Sequence, residues 1–245
     1  MARHNVHLAR LDVHLASAGL AESRERAQAL ILAGKVRVGG ETVRRPDRTV
    51  REGEDVSVEA GPGYASRGAL KLAPALDTFG VDPNGLVCAD IGASTGGFTD
   101  VLLRRGATRV FAVDVGRGLL HWRLRQDPRV VVMERVNARE LASFPEPVSL
   151  VTADLSFIGL EKVLQAIRMA AARAEVVALF KPQFQVERTQ VGKGGIVRDE
   201  AAVDAALTRF RDWCVAHGYE IRAQAPSEVA GADGNREIFV HLVPV

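Results

Sequence analysis

Four charged residues of the 245-residue chain have the types and the placement that proton-transfer chemistry requires. They are Lys71 in a predicted helix, Asp154 and Lys181 at the ends of two apolar, strand-like segments, and Glu237 at the start of the last such segment. A lysine at the end of a buried strand is partly desolvated, and a desolvated lysine can act as a general base. Taken singly, each residue could instead be a structural ion-pair partner or a surface charge.

The predicted sheet brings these four residues to one edge. The carboxyl ends of parallel strands converge on one crevice, which places Asp154 and Lys181 together. The last two strand-like segments are joined by a loop without a helix, so one of them is expected to be antiparallel. An antiparallel last strand begins at the same edge, and this adds Glu237 to the crevice.

A glycine-rich segment, Asp90–Phe98, follows the apolar run Leu86–Ala89 and is expected to line the same crevice. Glycine has no β-carbon, so this bend allows the backbone to lie against a ligand. Asp114 ends the next strand-like run, where an acid can bind ribose hydroxyls, but Ser94 replaces the second glycine of the dinucleotide fingerprint. The pattern therefore favours S-adenosylmethionine (SAM), an adenosine cofactor without a phosphate. A tight turn flanked by two solvated acids is the alternative.

The predicted cofactor-binding residues are Asp90, Gly92, Ala93, Ser94, Thr95, Gly96, Gly97, Phe98, Asp114 and Asp154. No metal site is predicted, because Cys88 and Cys214 lack the spacing of metal ligands.

Residues 66–245 alternate between strand-like and helical segments. The strand-like runs end at Ile91, Asp114, Met133, Ala153, Lys181, Ala225 and Leu242, and the main helical runs are 98–105, 159–173 and 200–216. This alternation predicts an α/β fold, a Rossmann-like sheet of seven strands with helices on both faces and a reversed last strand.

Residues 1–60 are predicted to form a separate, small α+β domain, joined to the rest by a linker at 61–65. A helix is expected over Val6–Ala18, a second helix capped by Ser23, and a hairpin that turns at Gly39–Gly40. The segment Lys35–Arg51 contains six basic residues and two acidic ones. This excess of positive charge suits binding to a phosphate backbone. A solvated charged loop is the alternative. The domain has no Phe, Trp or Tyr to stack on bases, so we expect it to bind folded RNA through shape and phosphates.

Two family resemblances follow from these motifs. Residues 6–59, with Arg10–Asp12, Gly34–Gly40 and Gly53–Val58, resemble the alpha-L RNA-binding motif of ribosomal small-subunit protein four. Lys71, Asp154, Lys181 and Glu237 resemble the Lys-Asp-Lys-Glu tetrad of the FtsJ-like ribose 2′-O-methyltransferases. The glycine loop and the segments RGALKL, DLSFIGL, KPQF and GNRE, together with the N-terminal motif, resemble the TlyA family over essentially the whole chain. Members of that family are described as ribosomal-RNA cytidine 2′-O-methyltransferases and are often called haemolysins.

The resemblance implies that SAM methylates a ribose 2′-hydroxyl, of a cytidine, in ribosomal RNA. Lys181 would orient or deprotonate the hydroxyl, Asp154 and Glu237 would hold Lys181 and Lys71, and Asn137 would contact adenine. Phe157 is expected to face the cofactor or a target base, or to belong to the core. The candidate RNA contacts are Arg10, Arg24, Lys35, Arg37, Arg44, Arg45 and Arg67.

Two segments depart from the family pattern. Gln185 stands where the family commonly has glutamate, and Arg117–Leu120 replaces a segment that usually contains tyrosine and glutamine.

Composition narrows the class of protein. The chain is 47% hydrophobic and 25% charged, and it has no apolar run near the roughly 20 residues that span a bilayer. The resemblance implies that the protein acts on ribosomal subunits, and we expect a cytoplasmic monomer that does not act on membranes. Three alternatives remain open: a pore-forming haemolysin, a non-catalytic RNA-binding or ribosome-assembly factor, and a base methyltransferase. The last would usually have an Asn/Asp-Pro-Pro-aromatic motif or a catalytic cysteine at Asp154–Phe157.

Overall fold

The computed structural model describes residues 8–18, 20–21, 23–51, 53–58, 63–231 and 234–245. They form two compact units, 1–63 and 64–245. Residues 61 and 62 of the predicted linker lie outside the described residues. Tyr64 and Ala65, also predicted as linker, contact the larger unit: the Arg104 guanidinium lies 4.4 Å from the Tyr64 ring centroid, and Ala65 N donates to Asp100 Oδ2 at 2.7 Å.

The described residues of the smaller unit form two helices and five short strands. Its elements are β1 (Leu8–Arg10), α1 (Leu11–Ser17), α2 (Arg24–Leu32), β2 (Val36–Val38), β3 (Glu41–Val43), β4 (Thr49–Arg51) and β5 (Val56–Val58). The strands form an antiparallel sheet of order β3-β2-β5 and an antiparallel pair, β1 with β4.

Local signals in the smaller unit were predicted correctly, with one exception. Ser23 Oγ accepts a hydrogen bond from Arg26 N at 3.1 Å and so caps α2. Gly39 and Gly40 have φ of 58° and 82°, the left-handed backbone that a two-residue hairpin turn requires. The predicted helical start near Val6 is wrong over residues 8–10, because these residues are extended and pair with β4, a contact distant in sequence. Val6 itself lies outside the described residues.

The larger unit is a seven-stranded sheet with helices on both faces. Its strands are β6 (Val87–Ile91), β7 (Arg109–Asp114), β8 (Val130–Glu134), β9 (Leu150–Ala153), β10 (Glu175–Phe180), β11 (Tyr219–Pro226) and β12 (Ile238–Pro244). Its helices are α3 (Ala69–Phe79), α4 (Gly97–Arg104), α5 (Trp122–Arg125), α6 (Glu161–Ala170) and α7 (Glu200–Ala216). The order β11-β12-β10-β9-β6-β7-β8, with β12 antiparallel to both neighbours, confirms the predicted architecture.

The register of the parallel strands positions the loops of the site. Ile91 at the end of β6 lies beside both Val113 on β7 and Ala153 on β9. The loops that follow these strands therefore leave the sheet at one level and on one edge. The predicted strand ending at Lys181 ends at Phe180, and Lys181 precedes a 3-10 turn at Pro182–Phe184.

Candidate active site

The glycine loop packs directly on the chain that follows β9. Gly92 has φ of 84°, and its N–H donates to Val113 O at 2.9 Å. A β-carbon at Gly92 would overlap the Asp154 carbonyl oxygen and lie 3.1 Å from the carbonyl carbon. Glycine at this position therefore allows the loop and Asp154 to lie side by side.

Asp114 fixes the shape of the loop from the next strand. Its carboxylate accepts hydrogen bonds from Ser94 N and Gly116 N, each at 2.7 Å. Ser94 has φ of 48°, a left-handed backbone that this bond stabilises. Carboxylate oxygens can accept more than one hydrogen bond, so Asp114 retains acceptor capacity for the hydroxyls of a nucleoside.

The Asp90 side chain lies inside the protein and bonds to the first turn of α4, which differs from its predicted role as a cofactor contact. It is fully buried, and its Oδ2 accepts hydrogen bonds from Thr99 N at 2.8 Å and from Thr99 Oγ1 at 2.7 Å. Burial raises the pKa of the Asp90 carboxyl to about 7. The physical reason for the difference is that the side chain of Asp90 points into the protein, where it anchors the first turn of α4.

Gly96 also packs inwards, because a β-carbon there would overlap the side chains of Leu120 and Leu124. Phe98 is buried in the core, with its ring centroid 6.0 Å from that of Phe239.

Three cavities adjoin at this edge of the sheet, and they share lining residues. A cavity of about 790 Å³ is lined by Gly92, Ser94, Asp114, Val115, Leu119, Asn137, Asp154, Ser156 and Phe157, among others. A cavity of about 350 Å³ is lined by Arg67, Lys71, Gly92, Ala93, Ser94, Thr95, Gly97, Phe98 and Asp154, among others. A third, of about 430 Å³, is lined by Lys71, Ser156, Phe157, Lys181 and Glu237, among others.

The structure brings the four predicted catalytic residues together as two ion pairs. Lys71 Nζ donates to Glu237 Oε2 at 2.6 Å, and both side chains are largely buried. Lys181 Nζ lies 2.6 Å from Asp154 Oδ1, although no donor is aligned with that oxygen for a hydrogen bond. The side chain of Lys181 is only 10% exposed, so each lysine has a carboxylate partner in a setting with little water.

Phe157 is not a core residue, so that interpretation of the sequence is wrong. Its side chain is 91% exposed, its φ is 66°, and its ring centroid lies 5.4 Å from that of Phe184. The ring therefore stands at the mouth of the cleft, where it lines two of the three cavities.

Asn137 lines the largest cavity and is held by its own loop. Its Oδ1 accepts from Arg139 N at 3.2 Å, and its Nδ2 donates to Glu140 Oε1 at 2.8 Å. These bonds fix the side chain at the edge of the cavity.

Gln185 and the segment Arg117–Leu120, which depart from the family pattern, each make contacts with nearby residues of this chain. When its amide is oriented to satisfy both neighbours, Gln185 donates to Glu161 Oε2 at 3.0 Å and accepts from Leu160 N at 2.8 Å. A glutamate there would face Glu161, so glutamine suits this chain. In the other segment, Gly118 N donates to Glu134 Oε1 at 2.8 Å, and Leu119 lines the largest cavity.

Two predicted RNA contacts in the smaller unit have an internal partner. Asp12 is fully buried and accepts hydrogen bonds from Arg10 at 3.0 Å, from Arg24 at 2.9 Å and from Gln28 at 2.7 Å. The Arg10 guanidinium is the main reason that the pKa of the Asp12 carboxyl lies well below its ordinary value. Both arginine side chains remain about half exposed.

The other predicted RNA contacts differ in how they are held. Arg44 donates to Leu32 O at 3.3 Å at the end of α2, and Arg45 pairs with Asp47 at 3.1 Å. Lys35 is exposed just before β2. Arg37 lies on the open face of β2, in register with Thr42 on β3 and Ser57 on β5, which are also exposed. Arg67, in the larger unit, is exposed and lines the smallest cavity.

Two residues near the site were not identified from the sequence. Ser156 Oγ accepts a hydrogen bond from Lys181 Nζ at 3.2 Å. Asn235 is 2% exposed, donates to Gly195 O at 2.8 Å and accepts from Val197 N at 3.0 Å, so it ties the start of the β12 segment to the loop at 192–197. A polar residue within two positions of a predicted catalytic residue was the available signal in both cases.

Two sequence families match the chain. The family described as FtsJ-like methyltransferase matches residues 64–243, and the S4 domain matches residues 9–56. These ranges follow the two compact units.

The chain is similar to proteins of several bacteria. It is 46% identical over 244 residues to the 16S/23S rRNA (cytidine-2′-O)-methyltransferase TlyA of Mycobacterium tuberculosis, covering 96% of this chain and 89% of that protein. It is 38% identical to Hemolysin A of Brachyspira hyodysenteriae, covering 96% and 99%. The solved structure of a candidate hemolysin from Streptococcus thermophilus superposes with a TM-score of 0.76 at 38% identity, covering 97% of this chain and 89% of that one. Among the described residues, no helix combines the length and the apolar character needed to cross a membrane.

Proposed function

Since this chain belongs to the FtsJ-like methyltransferase family and, within it, to the TlyA proteins, we propose that it methylates a ribose 2′-hydroxyl of ribosomal RNA, at a cytidine, with SAM as the methyl donor. The observation that carries the proposal is the pair of buried lysine–carboxylate contacts, Lys181 with Asp154 and Lys71 with Glu237, beside the glycine loop. Base and donor must meet at one point for methyl transfer to oxygen, and Asp154 lines the cavities on both sides of that loop.

The residues present fit SAM. The 790 Å³ cavity is within the usual size of a small-molecule site, and Val115 and Leu119 give it an apolar wall for a nucleoside. In this arrangement Asp114 accepts hydrogen bonds from the ribose hydroxyls, and Asn137 contacts adenine. Gly92 and Ser94 of the loop line both cavities, and the 350 Å³ cavity would receive the amino-acid end of the cofactor.

The chemistry requires a base, an oriented hydroxyl and an electrophile. Bound SAM supplies a methyl group made electrophilic by its sulfonium. Lys181 Nζ would take the proton of the 2′-hydroxyl, so that the oxygen could accept the methyl group that SAM would supply, with the carbon–sulfur electron pair left on sulfur. Residues that hold the hydroxyl and the methyl donor in a reactive orientation would contribute much of the remaining rate enhancement.

The two carboxylates act on the lysines. Asp154 holds the Lys181 amine at ion-pair distance and stabilises the positive charge that proton uptake creates. Glu237 balances the charge of Lys71, so that two buried lysines can share one cleft.

In this proposal the smaller unit, which matches the S4 domain, supplies the affinity for RNA. Arg37, flanked by exposed Thr42 and Ser57, offers a cation and hydroxyls to a phosphate backbone, while Arg10 and Arg24 keep about half of their surface outside the Asp12 cluster. Arg67 would contact the RNA at the cleft itself. The proposal implies a cytoplasmic protein, because a substrate in the ribosome would be met there.

The test replaces Lys181. Lys181→Met keeps the length of the side chain without the amine, and Lys181→Arg keeps a positive charge that does not deprotonate. If Lys181 is the base, both variants lose about 100- to 10,000-fold in single-turnover methyl transfer to rRNA, while the dissociation constant for SAM stays within threefold. Full activity in Lys181→Met would overturn the mechanism, and full activity in Lys181→Arg would reduce the role of Lys181 to orientation by charge.

A further inference from the structure

Ser156 places a second polar group on the amine of Lys181. Lys181 Nζ donates to Ser156 Oγ at 3.2 Å and lies 2.6 Å from Asp154 Oδ1. Ser156 is two residues after Asp154, so one loop supplies both groups. Ser156 is exposed, and it lines both the largest cavity and the cavity that holds Lys71, Lys181 and Glu237.

The geometry of an amine explains what two such contacts can do. The nitrogen of lysine has three directions besides its bond to carbon. A lysine with one fixed partner can still change its side-chain torsions and turn about the axis that joins the nitrogen to that partner, so its other two directions sweep a cone. A second fixed partner removes that freedom. The Asp154 carboxylate holds the nitrogen in place by charge attraction at 2.6 Å, and the hydrogen bond to Ser156 Oγ sets one of its directions. The direction left free, which carries either the lone pair or a further proton, then has a defined orientation.

We propose that Ser156 is a positioning residue for Lys181, which aims the free direction of the amine at the target 2′-hydroxyl. This inference rests on the proposed function, because it assigns Ser156 to the base of that reaction. Lys71 provides the contrast, since its ammonium donates to Glu237, which lies on another segment of the chain. Lys181 is buried to a similar extent, with 10% of its side chain exposed against 13% for Lys71, but the loop 154–157 supplies both Asp154 and Ser156 to its amine.

The exposure of Ser156 makes the proposal testable without unfolding the protein. Ser156 is an exposed residue, so its replacement opens no cavity in the core. Ser156→Ala removes the hydroxyl, Ser156→Cys keeps the shape but offers a weak acceptor, and Ser156→Thr restores a hydroxyl. Ser143→Ala is the control, because Ser143 is an exposed serine that lines none of the three cavities.

The experiment is single-turnover methyl transfer by the full-length protein, with saturating SAM and ribosomal subunits, across a range of pH. We expect Ser156→Ala and Ser156→Cys to lose about 10- to 100-fold in rate, the range for a hydrogen bond to a charged group. Ser156→Thr should stay within about threefold, as should the dissociation constants for SAM and RNA in all variants. A hydrogen bond to an ammonium favours its protonated form, so Ser156→Ala should also move the acidic limb of the pH–rate profile to lower pH.

Two results would overturn the inference. One is a rate for Ser156→Ala within twofold of the wild type. The other is a loss of rate with an unmoved acidic limb, which would assign Ser156 a purely structural role. Lys181→Met, measured in the same series, distinguishes the proposed role of Ser156 from the proposed role of Lys181 as the base. If Lys181→Met loses activity while Ser156→Ala does not, only the role of Ser156 fails. If Lys181→Met remains active, the proposed base fails.

Discussion

Gly92→Ala is the most informative single substitution in the glycine loop. Two separate costs arise there. The backbone φ of 84° is one that L side chains rarely adopt, and the added methyl group would overlap the carbonyl oxygen of Asp154. The second cost is specific to this site, because it joins the cofactor loop to the chain that carries a predicted catalytic carboxylate.

A matched control separates the two costs. Gly80, which ends α3, has a φ of 65° and open space where a β-carbon would stand. Gly80→Ala therefore has the backbone cost alone, roughly 1–2 kcal/mol in the free energy of unfolding. In Gly92→Ala the cost of relieving the steric overlap is added to the backbone cost, so the total loss in the free energy of unfolding is roughly 2–4 kcal/mol.

The overlap must be relieved by movement of the loop away from Asp154, which changes the surface offered to SAM. Because a tenfold loss of affinity is about 1.4 kcal/mol, a modest displacement of the loop is enough to produce it. We expect the SAM dissociation constant to rise at least about tenfold in Gly92→Ala and to stay unchanged in Gly80→Ala. Isothermal titration calorimetry measures the affinity, and urea denaturation measures the stability. A Gly92→Ala protein that binds SAM within twofold of the wild type would refute the assignment of this loop to the cofactor.

Two further predictions concern Asp90 and the S4 unit. Burial raises the pKa of Asp90 to about 7. Between about pH 4 and pH 7 the folded protein therefore keeps a proton on this carboxyl that the unfolded chain has released. For this reason the contribution of Asp90 to the free energy of unfolding falls as pH rises through that range. Asp90→Asn removes that slope, and urea denaturation should show the variant gaining stability relative to wild type between pH 4.5 and 7.5; a pH-independent difference would contradict the prediction. Arg37→Ala should weaken binding to rRNA and reduce the salt dependence of log K by about one unit, the contribution of one phosphate contact, with SAM affinity unchanged; an unchanged salt slope would remove Arg37 from the interface.

The elements that the sequence predicted well are those with a local signal. The ends of β6, β7 and β9 fall at Ile91, Asp114 and Ala153 as predicted, because apolar runs there stop at polar or glycine residues. The seventeen-residue helix α7 has its predicted bounds, and Asp199 accepts from Ala202 N at 3.2 Å as its cap. The turn at Gly39–Gly40 was also predicted from a local signal, the pair of glycines that a two-residue hairpin turn favours.

The features that the sequence did not reveal depend on contacts between distant segments. Leu8–Arg10 continues a helical pattern, and only its pairing with β4 makes it a strand. Asp90 belongs to a binding motif, yet its direction is decided by Thr99 on the next helix. Arg10 and Arg24 are basic residues in an RNA-binding motif, and the buried carboxylate of Asp12 that holds them is recognisable only when both helices are in place.

The contact between Ser156 and Lys181 is of the same kind. The two residues are 25 positions apart, and they meet because β9 and β10 are adjacent in the sheet. The positions of the catalytic candidates followed from strand ends and their carboxylate partners from the family resemblance, whereas the contact between Ser156 and Lys181 required the structure.

The measurement that tests the central claim most directly is the identity of the methylated product. Ribosomal subunits that lack the modification are incubated with the full-length protein and methyl-labelled SAM, and the rRNA is then digested to nucleosides and separated by mass. The account predicts that the label appears in a 2′-O-methylated nucleoside, 2′-O-methylcytidine. Label on a base, or no transfer by a protein that binds both SAM and RNA, would contradict it.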